Sequence, residues 1–437
     1  MDIVIKIVQF FICFTLLVGI HEFGHFIMAR LFKIRVDKFY IFFDPWFSIF
    51  KFKKGDTEYG LGWLPLGGYC KIAGMVDESM DKEQLAQPAQ PDEFRSKPAW
   101  QRLIVMLAGV TMNLLLAIVI YIGVSYAWGD SYLPTERVEW GYNFNQAGHD
   151  MGFEDGDQII TIDGKVLHDV SEITNMILLS DKDRMMHVVR DNRELRFNVP
   201  LETLIELRKS KQYKDLLTLR MPFIVDSIAS EGAQFLEKGD MLLEVNDKRM
   251  IQLSEFKEEF MKHKGDTVMV KIVNGYVSST KPVIVNDEGM IGVYTFNPFI
   301  LNTRHYTLLE SIPAGFNRAG NTISSYWQQL GLIFQPKTEM YRELGGFVAI
   351  GNMFSGVWNW EDFWLKTAFL SIILAVMNIL PIPGLDGGHS IITIYEMITG
   401  RKPSDKFLEV TQYVGMILIL ALMLYANGND FYRLIFG

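Results

Sequence analysis

Four apolar segments, at about 3–27, 103–128, 363–383 and 407–426, each approach the length that a helix needs to cross a bilayer. In hydrocarbon no water can satisfy the backbone, so such segments must be helical, and the chain is expected to be an α-helical polytopic membrane protein. The first segment runs into polar residues without a small-residue cleavage site, so it reads as a retained span rather than a signal peptide. Between the second and third spans lies a long, more polar stretch from about 129 to 360. This division explains how 49% hydrophobic residues coexist with 21% charged ones. A net charge of -9 supplies no basic field, which makes nucleic acid a poor partner. Cys13 and Cys70, the two cysteines, exclude a disulfide framework or a multi-cysteine zinc site.

Charge in the short loops sets the orientation. Arg30, Lys33, Arg35 and Lys38 follow the first span, Arg95, Lys97 and Arg102 precede the second, and Arg401, Lys402 and Lys406 separate the third and fourth. These loops are predicted to be cytoplasmic, which leaves both termini and the 129–360 stretch on the other side.

That outer stretch contains a repeat. "DGDQIITIDGKVLHDVSEI" (155–173) aligns with "KGDMLLEVNDKRMIQLSEF" (238–256) at an ungapped shift of 83 residues, from Gly156 to Gly239. Asp157/Asp240, Ser171/Ser254 and Glu172/Glu255 coincide, and apolar positions match along a strand that is closed by Asp163-Gly164 or Asn246-Asp247. Two tandem copies of one small β-rich fold are implied. A Gly-Asp turn, a strand, a turn and a Ser-Glu helix start resemble PDZ domains, which bind extended peptides or chain ends at a sheet edge.

"HEFGH" (21–25) stands at the end of the first span. On a helix, His21 and His25 project from one face and can share a tetrahedral zinc ion, with Glu22 beside the open coordination position. With 8 histidines in the chain, chance would produce this spacing on the order of once per hundred such sequences. Ionisable side chains at membrane depth are costly and mark sites. A third ligand is needed. Asp386, in "MNILPIPGLDGGHS" (377–390), reaches the same depth, because the third span enters from outside and ends near it. His389 is a rival. Pro381, Pro383 and the neighbouring glycines break the helix there, which is tolerated only where backbone is buried in protein or lines a wet cavity.

HEFGH followed late in the chain by Asn378-Ile-Leu-Pro-Ile-Pro-Gly-Leu-Asp386-Gly resembles the site-2 protease family of intramembrane zinc metalloproteases. "PLGGYCKIAGM" (65–75), "FRSKPAWQRLIVMLAGVTMN" (94–113), the two repeats and "LDGGHSIITIYEMITGR" (385–401) follow the order of its RseP branch, the regulators of sigma-E protease. Three stretches depart from that pattern: "FFDP" (42–45) in place of a GFGP-like turn, "AGV" (108–110) in place of AGP, and "LGGFVAI" (344–350) in place of an SGP-type stretch.

The resemblance implies Zn2+ held by His21, His25 and Asp386, with Glu22 as general base. It also implies a substrate-binding role for Asn378 beside the Pro381/Pro383 break, and for Gly67, Gly68 and Tyr69 in a membrane-reentrant β-hairpin over 56–75. The expected organisation is 1–128 with two spans and the reentrant loop, PDZ-like domains at 129–214 and 215–300, a linker region at 301–360 in which the mixed apolar and polar spacing of 305–335 reads as an amphipathic helix along the outer surface, and two spans at 361–437. Its setting would be the bacterial inner membrane, with the PDZ-like tandem outside. Its substrates would be single-span proteins, either anti-sigma factors or remnant signal peptides, with the tandem acting as a size filter. A membrane-anchored PDZ adaptor with a structural zinc is the competing reading, and an intact Glu22 argues against it. A zinc transporter would need ionisable residues along several spans, which the second and fourth lack.

Overall fold

A computed structural model describes residues 2–64, 67–75, 88–210, 212–336 and 340–436. Two compact units emerge: residues 1–129, 305–334 and 341–437 form one, and 130–304 with 335–340 form the other.

Among the described residues the first unit carries four long apolar helices. These are α1 (Asp2–Leu31), α2 (Ala99–Ala127), a helix at Trp360–Ile379 and a last one at Asp405–Phe436. In α1 the buried positions Gln9, Cys13, Leu17, His21 and His25 recur every fourth residue, so one stripe that carries both histidines faces protein while Ile3, Ile7, Phe11 and Phe23 are exposed. The stretch expected to lie as a surface helix is a single helix, Leu308–Ile333. Its N-terminus is closed by a Thr307/Glu310 capping box. Ala319 and Leu330 are buried in one cluster with Ala117 and Tyr121 of α2 and Ala368 and Ile372 of the third long helix, so its apolar face packs on helices.

After α1 the chain forms a four-stranded sheet from β1 (Val36–Ile41), β2 (Phe43–Lys54), β3 (Thr57–Leu64) and β4 (Tyr69–Ile72), in the order β2-β3-β1-β4. The expected 56–75 hairpin is therefore corrected, because β3 and β4 do not pair with each other. Pro65 and Leu66, in its middle, lie outside the described residues. The hairpin is β2–β3. β1 inserts between β3 and β4, parallel to one and antiparallel to the other. The local Gly pattern could not disclose this, since the partner strand lies before the turn.

The 130–304 run of the second unit begins with β5 (Asp130–Tyr132) and ends on β18 (Asn302–Arg304), which pair so that the two ends of this run adjoin. Inside it each repeat builds the same sheet. β7 (Gln158–Ile162), β8 (Lys165–Val166), β9 (Arg184–Arg190) and β10 (Arg193–Val199) give the order β10-β9-β7-β8. β13 (Met241–Val245), β14 (Lys248–Arg249), β15 (Thr267–Asn274) and β16 (Val277–Ile284) give β16-β15-β13-β14. Each repeat has its own buried core. β6 (Tyr142–Phe144) pairs with β11 (Leu217–Leu219), which carries the first repeat past its expected end at 214. β12 (Val225–Ile228) pairs with β17 (Val293–Thr295) in the second.

The shared Gly-Asp has a physical reason. Asp157 is buried and accepts the Glu154 backbone N–H and the Arg190 guanidinium. Asp240 accepts the Glu237 N–H, the Asn274 amide and the Lys281 ammonium. In both repeats one carboxylate closes the turn before the strand and ties it to a strand two places on. Burial pushes the Asp240 carboxyl up, but its three donors override this and hold it below the ordinary range. Its contribution is therefore complete above the unfolded value near pH 4 and is lost as pH falls through the lower folded one. Asp240→Ala should destabilise the second repeat by about 3 kcal/mol at neutral pH. Hydrogen exchange of β13 and β15 amides in the full chain should show the loss at pH 7 and a smaller one once the pH has fallen through the lowered folded value.

Candidate metal centre

α1 delivers His21 and His25 one turn apart. Asp386 opens a further helix, Asp386–Thr399, that follows the break after Ile379. The chain doubles back so tightly there that a Cβ at Gly387 would lie 2.3 Å from the Ile379 and Leu380 carbonyls, and one at Gly388 would lie 2.4 Å from the Ile382 carbonyl. The Gly-Gly after Asp386 thus permits the turn that presents its carboxylate.

Three donor atoms meet. His21 Nε2 lies 3.2 Å and His25 Nε2 3.3 Å from Asp386 Oδ2, and the two ring nitrogens are 3.3 Å apart. Ligands of a tetrahedral zinc at about 2.0–2.1 Å stand about 3.3–3.4 Å from one another, so this triangle already has the required edge. His25 Nδ1–H donates to the Val105 carbonyl at 2.8 Å, which leaves Nε2 with a lone pair. The Asn113 amide lies 3.2 Å from His21 Nδ1, and its Oδ1 is buried without a partner. Turned over, the same amide accepts the Nδ1 proton and frees Nε2 as well. Three lone pairs that face one another in a buried site call for a cation. Among the described residues this is the group of three that could hold a metal.

α2 is the wall behind them. A Cβ at Gly109 would fall 2.4 Å from His25 Nε2 and 2.7 Å from His21 Cε1, so only glycine lets the imidazoles lie against this helix. Val105, Gly109 and Asn113 succeed one another at intervals of four and present one face to both histidines. The sequence reading missed them, although the Gly-x-x-x-Asn spacing within "AGVTMN" was the available signal. α2 also reaches the helices around the break: Ser371 Oγ donates to the Asn113 carbonyl, and Arg102 pairs with Glu396 at 2.5 Å.

Glu22 meets the sheet. The Cys70 backbone N–H of β4 hydrogen-bonds its carboxylate, and a Cβ on Gly68 would lie 3.3 Å from its Cγ. Gly68 is thus brought beside Glu22, whereas Gly67 packs on Phe43 and the Tyr69 hydroxyl goes to Asp44. Asn378 lies in the last turn before the break, with Pro381 and Pro383 inside it. His389 stands apart from the triangle and hydrogen-bonds Gln412 at 2.9 Å.

The pattern of peptidase family M50 matches residues 9–422. The chain belongs to this family. The regulator of sigma E protease of Haemophilus influenzae is 27% identical over 450 residues, covering 98% of each chain. A Clostridium perfringens protein named "Putative zinc metalloprotease" is 27% identical over 424 residues, covering 96% of each. The chain is a zinc metalloprotease of the site-2 type and a multi-pass membrane protein. Gly109→Ala should lower zinc retention about tenfold or more during dialysis against a chelator, as disturbed ligand support does elsewhere. Zinc content by elemental analysis, beside an unchanged circular dichroism spectrum, checks it.

Proposed function

We propose that this M50 peptidase cleaves single-span membrane proteins within the membrane, using His21, His25 and Asp386 to hold zinc and Glu22 as general acid–base. The observation that carries the proposal is the 3.2–3.3 Å donor triangle with Glu22 adjacent on the same helix. Zinc supplies a Lewis acid that polarises the scissile carbonyl and acidifies a water molecule. Glu22 takes a proton from the attacking water and returns it to the leaving amine in this reading, which its hydrogen bond from the Cys70 N–H supports. A structural zinc would need a fourth protein ligand to close its shell, and the described cluster has three.

A helical substrate protects its own peptide bonds, so it must be extended before hydrolysis. Among the described residues β4 pairs with β1 alone, and its other side, where the Cys70 N–H meets Glu22, would receive an unwound segment. Asn378, at the helix break, would hydrogen-bond that segment. The sheet is read as membrane-reentrant, and the repeats as PDZ-like domains on the outer side of a bacterial inner membrane. There they would bind chain ends or exclude substrates with large outer domains. The substrate class, anti-sigma factors or remnant signal peptides, is what the resemblance to the RseP branch implies, and a relative is named regulator of sigma E protease.

Two measurements test this. Glu22→Gln should retain zinc and fold, yet lose cleavage of a single-span reporter by at least about a thousandfold; cleavage near the wild-type rate would remove the assigned role. Deleting residues 133–301 while keeping the β5–β18 strands should let the enzyme cut a substrate with an intact outer domain, which the full chain resists. A folded, zinc-loaded deletion variant that is inert on trimmed substrate would make the repeats a docking surface and end the filter reading.

A further inference from the structure

β2 carries a carboxylate that the chemistry above does not use. Between the pairs Phe43–Leu64 and Ser48–Gly62 the strand extrudes a bulge, residues 44–47, which begins with Asp44. Asp44 Oδ1 accepts the Tyr69 hydroxyl at 2.8 Å, and Oδ2 accepts the Ser48 hydroxyl at 3.0 Å. The Tyr69 ring lies parallel to Tyr40 at 5.2 Å and to Phe43 at 6.0 Å. A carboxylate among aromatic rings is costly unless bonded, so the bulge and Tyr69 are held together by mutual need.

The consequence lies one residue on. Tyr69 is the first residue of β4, and Cys70, the second, donates its N–H to Glu22. Gly68, just before, packs on the Glu22 side chain. β4 has four residues and, among the described residues, β1 as its partner strand, which is little pairing to hold so short a strand still by itself. Resting on the proposed intramembrane cleavage, we propose that Asp44 is a positioning residue: through the Tyr69 hydroxyl it clamps β4, so that the strand beside Glu22 presents an extended substrate to the metal centre. A glycine at position 44 would offer no acceptor, and so the clamp is a property of this chain's Phe-Phe-Asp-Pro turn.

The test compares the full-length wild type, Asp44→Ala, Asp44→Asn, Tyr69→Phe and the Asp44→Ala/Tyr69→Phe double variant in detergent. Two single-span reporters are used, one with a regular helical cleavage segment and one whose segment carries helix-breaking Gly and Pro. On the helical reporter, Asp44→Ala and Tyr69→Phe should each lower kcat/KM about tenfold, with zinc content unchanged. The double variant should be no worse than either single one, and Asp44→Asn, which keeps an acceptor, should recover to within about threefold of wild type. On the pre-broken reporter the losses should shrink to about twofold, because less clamping is needed. Equal losses on both reporters, or additive losses in the double variant, would reduce Asp44 to a structural role and overturn the inference. Should Asp44→Ala fail to load zinc, Tyr69→Phe decides alone, since it removes one oxygen and no charge; wild-type kinetics there would overturn the clamp. A wild-type chain inert on both reporters would sink the proteolytic reading itself.

Discussion

Two imidazole lone pairs and a carboxylate oxygen, held within about 3.3 Å of one another inside a bundle of apolar helices, are the constraint on which the first unit is built. Without a cation between them they would repel, and in hydrocarbon they would have no water to relieve them. The surroundings therefore serve to keep three acceptors together. α1 supplies two donors at one-turn spacing. α2 lies close enough to hold both rings only because Gly109 has no side chain. The doubled-back chain after Ile379 brings the third.

α2 is the member that coordinates the rest. Its Val105 carbonyl fixes the His25 tautomer, Asn113 meets His21, and the carbonyl of Asn113 receives Ser371. Arg102 binds Glu396 on the helix that Asp386 begins. Buried pairs of this kind add little net stability, but losing one partner is expensive, so they set geometry. The same economy appears in the β-sheets. Asp157 and Asp240 each close a turn and tie it to a distant strand, and Asp44 ties a bulge to an edge strand. In each case a carboxylate that would be a liability when free becomes a fixed point once two or three donors surround it.

How much of this could be read from residues alone differs from part to part. Hydropathy sufficed for the four long helices, because a bilayer leaves the backbone no alternative, and the HExxH spacing sufficed for the pairing of His21 with His25, because i to i+4 is a local property of a helix. The tandem repeat was legible because Gly156-Asp157 and Gly239-Asp240 answer the same local demand twice. The strand order of the β1–β4 sheet was not legible: β4 pairs with β1 across some thirty residues, and no turn signal encodes a partner that lies before the turn. The end of the first repeat was hidden for the same reason, since β11 finds β6 about 75 residues back. Asp386 was reachable by topology, but its approach to within 3.3 Å of both histidines depended on carbonyls packing against Gly387 and Gly388. The sequence by itself determined spans, spacing and the chemistry of the donors, all set by local periodicity and by what lipid forbids. Only the tertiary structure decided which carbonyl orients His25, why position 109 must be glycine, and which strand edge reaches Glu22, because these depend on contacts between segments whose separation along the chain carries no trace of their distance in space.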